Sequence, residues 1–147
     1  MHRVAAKMIG DLDGASDIVQ EVFIDCFQKL NNGLELYNAK SWLYRVTYVK
    51  CIDYFRKQKR LNEIELKEDI EIEDNQNDKQ EMRTVIKKAL SRLNPQEKAI
   101  VIFYSEGLSY REIAKATGIK FSSVGKTLSR TLKKMGKEIN NQRYEMY

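Results

Sequence analysis

Residues 15–30, ASDIVQEVFIDCFQKL, place Ile18, Val19, Val22, Phe23, Cys26, Phe27 and Leu30 at spacings of three and four. That period predicts an amphipathic helix. Its other face carries Asp17, Gln20, Glu21 and Asp25. The stretch 31–40, NNGLELYNAK, breaks the period and reads as a loop. From Ser41 to about Arg60 a second stripe of Trp42, Leu43, Val46, Val49, Ile52 and Phe55 predicts a second helix. In 61–80, LNEIELKEDIEIEDNQNDKQ, isolated aliphatics alternate with acids. A short strand fits that alternation, but the apolar content is too low to offset ordering, so a flexible acidic linker is expected.

The helical period returns near Lys79, with Met82, Val85, Ile86, Ala89, Leu90 and Leu93 on one face. In NPQE, Asn94 suits a cap, Pro95 the first helical position and Glu97 the third. The helix so begun ends at Gly107. Ser109 and Glu112 form a capping box for a short helix that ends at Gly118. A further helix follows. A short capped helix, a glycine turn and a second helix is the helix-turn-helix pattern, with small Ala114 at the crossing and Val124 turned inward. A plain helical hairpin is the alternative.

The last helix, through FSSVGKTLSRTLKKM, looks too polar until it is wound. At about 100° per residue, Val124, Leu128, Thr131 and Met135 fall within about 40° of one direction, flanked by Phe121 and Leu132. The opposite direction collects Ser122, Lys126, Ser129 and Lys133, with Ser123 and Arg130 beside them, and no acid. A solvated face normally mixes signs. Cations neutralise phosphates, and small hydroxyls reach phosphate oxygens or base edges without bulk, so this face is expected to bind duplex DNA. Arg111 and Lys115 on the preceding helix would hold the flanking backbone. Gly125 falls at the border of stripe and face.

Composition sharpens this. One proline and seven glycines in 147 residues, amid strong helix formers, favour an all-α protein. The length suits one domain or two small ones. The net charge of +5 hides a pattern: residues 1–60 carry 10 basic and 7 acidic side chains, 61–80 carry 2 and 8, and 81–147 carry 14 and 6. Two basic modules joined by an acidic tether suit polyanion binding. The first module's basic segment, 44–60, interleaves Arg45, Lys50, Arg56, Lys57, Lys59 and Arg60 with Tyr44, Tyr48, Tyr54 and Phe55. Cations that track phosphates, with rings that stack on bases, suit single-stranded or unstacked nucleic acid. Phe55 is read as core, and Trp42 as half core and half surface. The longest clear apolar run, AIVIFY, has six residues, too short to span a membrane. The N-terminus lacks a secretory signal. Cys26 and Cys51, without CxxC spacing, read as reduced core thiols of a cytoplasmic protein. A metal-dependent enzyme would need a carboxylate or histidine cluster, but the one histidine is His2 and the acids gather in the linker. No catalytic residue, metal ligand, cofactor or small-molecule substrate is expected.

In two blocks, DIVQEVFIDCF with SWLYRVTYVKCIDYFRKQKR, and LSRLNPQEKAIVIFYSEGLSYREIAKATGIKFSSVGKTLSRTLKKM, the chain resembles small bacterial RNA polymerase sigma factors of the extracytoplasmic-function group. The resemblance implies two small helical domains joined by an acidic linker: a region 2-like domain at 1–62, the linker at 63–79, and a region 4-like helix-turn-helix domain at 80–147. It implies that Asp17, Gln20 and Glu21 dock on the clamp helices of the polymerase largest subunit. It implies that the loop 31–40 and the helix from Ser41, with Trp42, Arg45, Tyr48, Lys50, Tyr54, Arg56, Lys57 and Arg60, melt and read the minus-ten element. It implies that Arg111, Lys115, Lys120, Ser122, Ser123, Lys126, Ser129, Arg130 and Lys133 read the minus-thirty-five element. Its partners would be RNA polymerase core and promoter DNA, with an anti-sigma factor as a further candidate. The family's usual first helix extends before HRVAAKM, so a shorter N-terminus is implied here. Departures from the common pattern fall at Ser16, Val49, Lys120, Gly125, Thr127 and Leu132. The minus-thirty-five sequence therefore does not carry over. A stand-alone helix-turn-helix regulator is the competing reading, and it has no use for the acidic face at Asp17 to Glu21.

Overall fold

A computed structural model describes residues 1–33, 38–64 and 78–146. Seven helices follow in order: α1 (His2–Ile9), α2 (Leu12–Asn31), α3 (Ala39–Ile64), α4 (Asp78–Ser91), α5 (Pro95–Ser105), α6 (Tyr110–Thr117) and α7 (Phe121–Met146). The described residues are all-α. None of these helices is long and apolar enough to cross a membrane. The heart of the acidic linker, 65–77, and the middle of the first loop, 34–37, lie outside the described residues, as does most of the segment whose alternation fits a strand.

The local rules that place these helices are visible at their ends. Asp11 caps α2 by accepting the Asp13 N–H at 3.0 Å. The α2 helix therefore begins at Leu12, three residues ahead of the segment 15–30. Asn94 and Glu97 make a reciprocal capping box at α5, and Ser109 and Glu112 make another at α6, so two orphan N–H donors are met at each start. Gly118 takes φ +79, and its N–H bonds the Ala114 carbonyl at 2.9 Å to end α6. Helix α3 runs to Ile64, past the domain boundary expected at 62. Helix α1, which the pattern of apolar positions did not single out, is closed by Gly10 at φ +72 and buries Val4, Ala5 and Met8.

The two helical units share one continuous buried cluster. Val4, Ala5 and Met8 of α1, Ile18 and Val22 of α2, and Tyr48 and Cys51 of α3 meet Ile100, Ile102 and Phe103 of α5, Ile113 and Ala116 of α6, and Val124 and Leu128 of α7. Helices α1 and α3 supply the first unit's face, and α5 and α6 the second's. A smaller cluster of Ala89, Leu93 and Met135 ties α4 to the distal part of α7. Part of the expected apolar stripe on α2 is not buried: Phe23, Phe27 and Leu30 are more than half exposed. Ile18 and Val22, by contrast, belong to the shared cluster.

Candidate nucleic-acid interface

The inner stripe of α7 is as its winding predicts. Val124, Leu128, Thr131 and Met135 are all buried, while the flanking Phe121 and Leu132 are about half exposed. A buried threonine in that stripe is satisfied: its hydroxyl donates to the Thr127 carbonyl at 2.7 Å and also reaches Glu97 Oε2 at 3.4 Å. Glu97 thus serves the α5 cap and α7 together, and Lys134 Nζ completes the group at 3.4 Å. The polarity of the stretch is therefore partly core polarity with internal partners.

The outer face of α7 stands open. Ser122, Lys126, Ser129, Arg130 and Lys133 are exposed and Ser123 is half-buried. Among the described residues no carboxylate lies within ion-pair distance of Lys126, Arg130 or Lys133. Ser123, Gly125, Lys126, Thr127, Ser129 and Arg130 line a concavity along this face. Lys115 and Lys120 are exposed at the turn between α6 and α7, and the Arg111 guanidinium lies 5.7 Å from the centre of the Phe121 ring. The structure therefore brings all nine residues expected at the duplex onto the helix-turn-helix and its approach. Gly125 faces Tyr110, whose Cε2 would lie 3.4 Å from a Cβ at that position.

The residues expected to read an opened strand are divided. Arg56, Lys57 and Arg60 are exposed toward the end of α3, Arg56 facing Asp53 at 3.8 Å. The others are engaged. Trp42 lies under the Lys29 ammonium, 5.2 Å from the ring centre. Lys50 bridges Glu21 at 3.3 Å and Asp25 at 3.0 Å. The Tyr54 hydroxyl donates to Asp11 Oδ2 at 3.0 Å, and burial, with that carboxylate beside it, pushes the phenol above its ordinary pKa. Tyr48 is covered by the second unit, whereas Arg45 is exposed and only touches it. The Arg45 Nη1 donates to the Ala116 carbonyl at 3.1 Å, at the last turn of α6, where carbonyls lack helical partners. Tyr48 is 9% exposed, and its ring meets Phe103 edge-on at 6.4 Å.

Asp17, Gln20 and Glu21 are exposed together on α2. Glu21, with Asp25, holds Lys50 of α3, so the acidic face and the basic helix expected to have separate partners touch each other.

Sequence reasoning missed Arg3, Lys98 and Glu106. Glu106 accepts two bonds from the Arg3 guanidinium, at 3.1 and 2.6 Å, and pairs with Lys7 at 3.6 Å. The Arg3 bonds hold its carboxyl below the usual carboxylate pKa. Lys98 is 9% exposed, donates to the Met8 carbonyl at 3.1 Å and lies 5.0 Å from the Phe55 ring centre. Burial pulls its ammonium pKa down. A signal for Lys98 was present: it sits four residues before Ile102, on the inward side of α5.

Two family descriptions match the chain, Sigma-70 region 2 over residues 1–61 and Sigma-70 region 4 over residues 83–135. The chain is 31% identical to the RNA polymerase sigma factor SigV of Bacillus subtilis over 135 residues, covering 91% of this chain and 81% of that one. It is 29% identical to the ECF RNA polymerase sigma factor SigE of Mycolicibacterium smegmatis, covering 88% of this chain and 53% of that one. Its fold is similar to that of the sigma factor RpoE of Bartonella quintana, solved in complex with the anti-sigma factor NepR, with a TM-score of 0.75 at 22% identity over 95% of this chain and 89% of that one.

Proposed function

The chain belongs to the RNA polymerase sigma factor family, and from that premise we propose how its two helical units divide promoter recognition. As a sigma factor it binds RNA polymerase core and directs it to promoters. The second unit, residues 80–147, reads the minus-thirty-five duplex with the outer face of α7. The observation that carries this is the exposed face of Lys126, Arg130 and Lys133, with no acid among the described residues to neutralise it. Cations without internal partners release counterions when they meet phosphate. The first unit, residues 1–62, melts and reads the minus-ten element through α3, and the exposed Asp17, Gln20 and Glu21 of α2 dock on polymerase. Residues 63–79 form the acidic linker between them. The protein works as an initiation factor without catalysis of its own, in the cytoplasm where polymerase works. An anti-sigma protein is a further proposed partner, by analogy with the RpoE–NepR pair.

Run-off transcription by core polymerase on a randomised promoter library tests this reading. Transcripts that need this protein and share two spaced elements are expected. Transcription unaffected by its addition would overturn it.

A further inference from the structure

We infer that Phe121 is a specificity-determining residue of the duplex-reading face: its ring takes the C5-methyl group of a thymine in the minus-thirty-five element, and Arg111 is the positioning residue that holds the ring for it. This deepens the proposed reading of α7 and rests on it. Phe121 is the first residue of α7. It is 55% exposed, so core packing does not account for it. Side-chain bonds in a helix tilt toward its N-terminus, so a ring at the first position projects past the helix end. In a helix-turn-helix that end of the second helix lies in the major groove, and its first residues meet base edges.

The surroundings of the ring select its ligand. The Arg111 guanidinium reaches across from α6 and lies 5.7 Å from the ring centre. A cation held over an aromatic face is attracted by it and restrains it. Among the described residues no carboxylate lies within ion-pair distance of Arg111 or of Lys120, the residue before the ring. Ser122, the residue after it, is exposed. One turn on, Gly125 has no side chain to cover the ring. Apolar surface is thus bordered by cations without acidic partners and by a hydroxyl. An apolar protein surface set on this ring would strip water from those cations and leave them unpaired. DNA meets both needs: its phosphates suit the cations, and its major groove offers an apolar group, the thymine methyl. Of the four bases thymine alone carries that methyl, so the contact reads sequence as well as adding affinity.

The test uses holoenzyme, core polymerase with the full chain, on a promoter that the randomised library yields. Each thymine of its minus-thirty-five element, on either strand, is replaced in turn by deoxyuridine, which keeps the base pair and removes the methyl. With the parent chain one such replacement is expected to weaken promoter binding about fourfold, the worth of one buried methyl group. Phe121→Ala is expected to weaken binding to the thymine promoter by at least that factor and to bind the thymine and deoxyuridine promoters equally. Phe121→Leu, which keeps an apolar side chain, is expected to retain part of the difference. Arg111→Gln is expected to shrink the difference too, whereas loss of a cation that served only phosphates would weaken both promoters alike. If no thymine methyl matters, the inference is overturned, as it is by a difference that survives Phe121→Ala. Loss of core binding by Phe121→Ala would make the ring a polymerase contact and overturns it as well, leaving the reading of α7 standing. If Lys126→Ala and Arg130→Ala also leave promoter binding unchanged, the reading of α7 itself fails, and this inference with it.

Discussion

Gly125 sits beside the Tyr110 ring with room for a methyl group at ordinary contact distance, 3.4 Å from Tyr110 Cε2. A glycine inside a helix costs about 1 kcal/mol relative to alanine. Gly125→Ala is therefore expected to raise stability by up to about that amount, read as a higher Tm, with promoter use unchanged. A loss of promoter use with intact folding would mean that DNA backbone needs the bare position. The two thiols should also separate. Cys51 is fully buried, and burial pushes its pKa up to about 12, whereas Cys26 is half-buried. A disulfide reagent should modify Cys26 in the folded protein and reach Cys51 only after denaturation. The same burial gives a signed pH dependence. Above about pH 9 the unfolded chain loses the Cys51 proton while the folded chain keeps it, so this thiol makes stability fall as pH rises from about 9 toward 12. Lys98 acts in the opposite sense: its folded pKa is depressed below 10.5, so stability rises with pH between the depressed value and 10.5. Urea unfolding of Cys51→Ala near pH 10 should show a shallower fall with pH than the parent.

At the scale of single helices, α7 and α2 present opposite charge to different partners. Lys126→Ala and Arg130→Ala should each weaken duplex binding and reduce the slope of log affinity against log salt by about 0.9. Filter binding at several salt concentrations checks this, and an unchanged slope would remove that side chain from the interface. On α2, Asp17→Arg with Glu21→Arg should abolish co-purification with core polymerase and leave helicity intact, since Asp25 still holds Lys50 at 3.0 Å. The elements themselves were largely legible because their signals are local. The Ser109–Glu112 and Asn94–Glu97 boxes and Gly118 mark ends by chemistry contained in four or five residues. The α7 stripe was legible down to its threonine. Helix α1 was not, because eight residues give the 3.6 period too few turns to show. The exposure of Phe23 and Phe27 was not either: period tells which face is apolar, and only tertiary placement tells whether anything covers it. Arg45 and Tyr48 read correctly as basic and aromatic, but no local pattern says that Ala116 and Phe103 lie against them.

For the whole molecule, the continuous cluster through α1, α3, α5, α6 and α7 couples the units. Phe103 is fully buried and touches Tyr44 and Tyr48 of α3. Phe103→Ala should cost about 3–5 kcal/mol and lower the stability of both units together, visible as one calorimetric transition shifted down. Two separated transitions would show that the units melt independently. The cross-unit bonds also join residues far apart in sequence, with separations of 103 from Arg3 to Glu106 and 90 from Met8 to Lys98. Contacts of that span form late, because closing a long loop comes before the contact rewards it. During synthesis the chain must extend 39 residues beyond Ile64 before Phe103 is even made, roughly 2–8 s at translation rates of about 5–20 residues per second. For that interval the nascent first unit has Tyr48 and Met8 uncovered. The newborn chain is thus at its stickiest while still tethered to the ribosome.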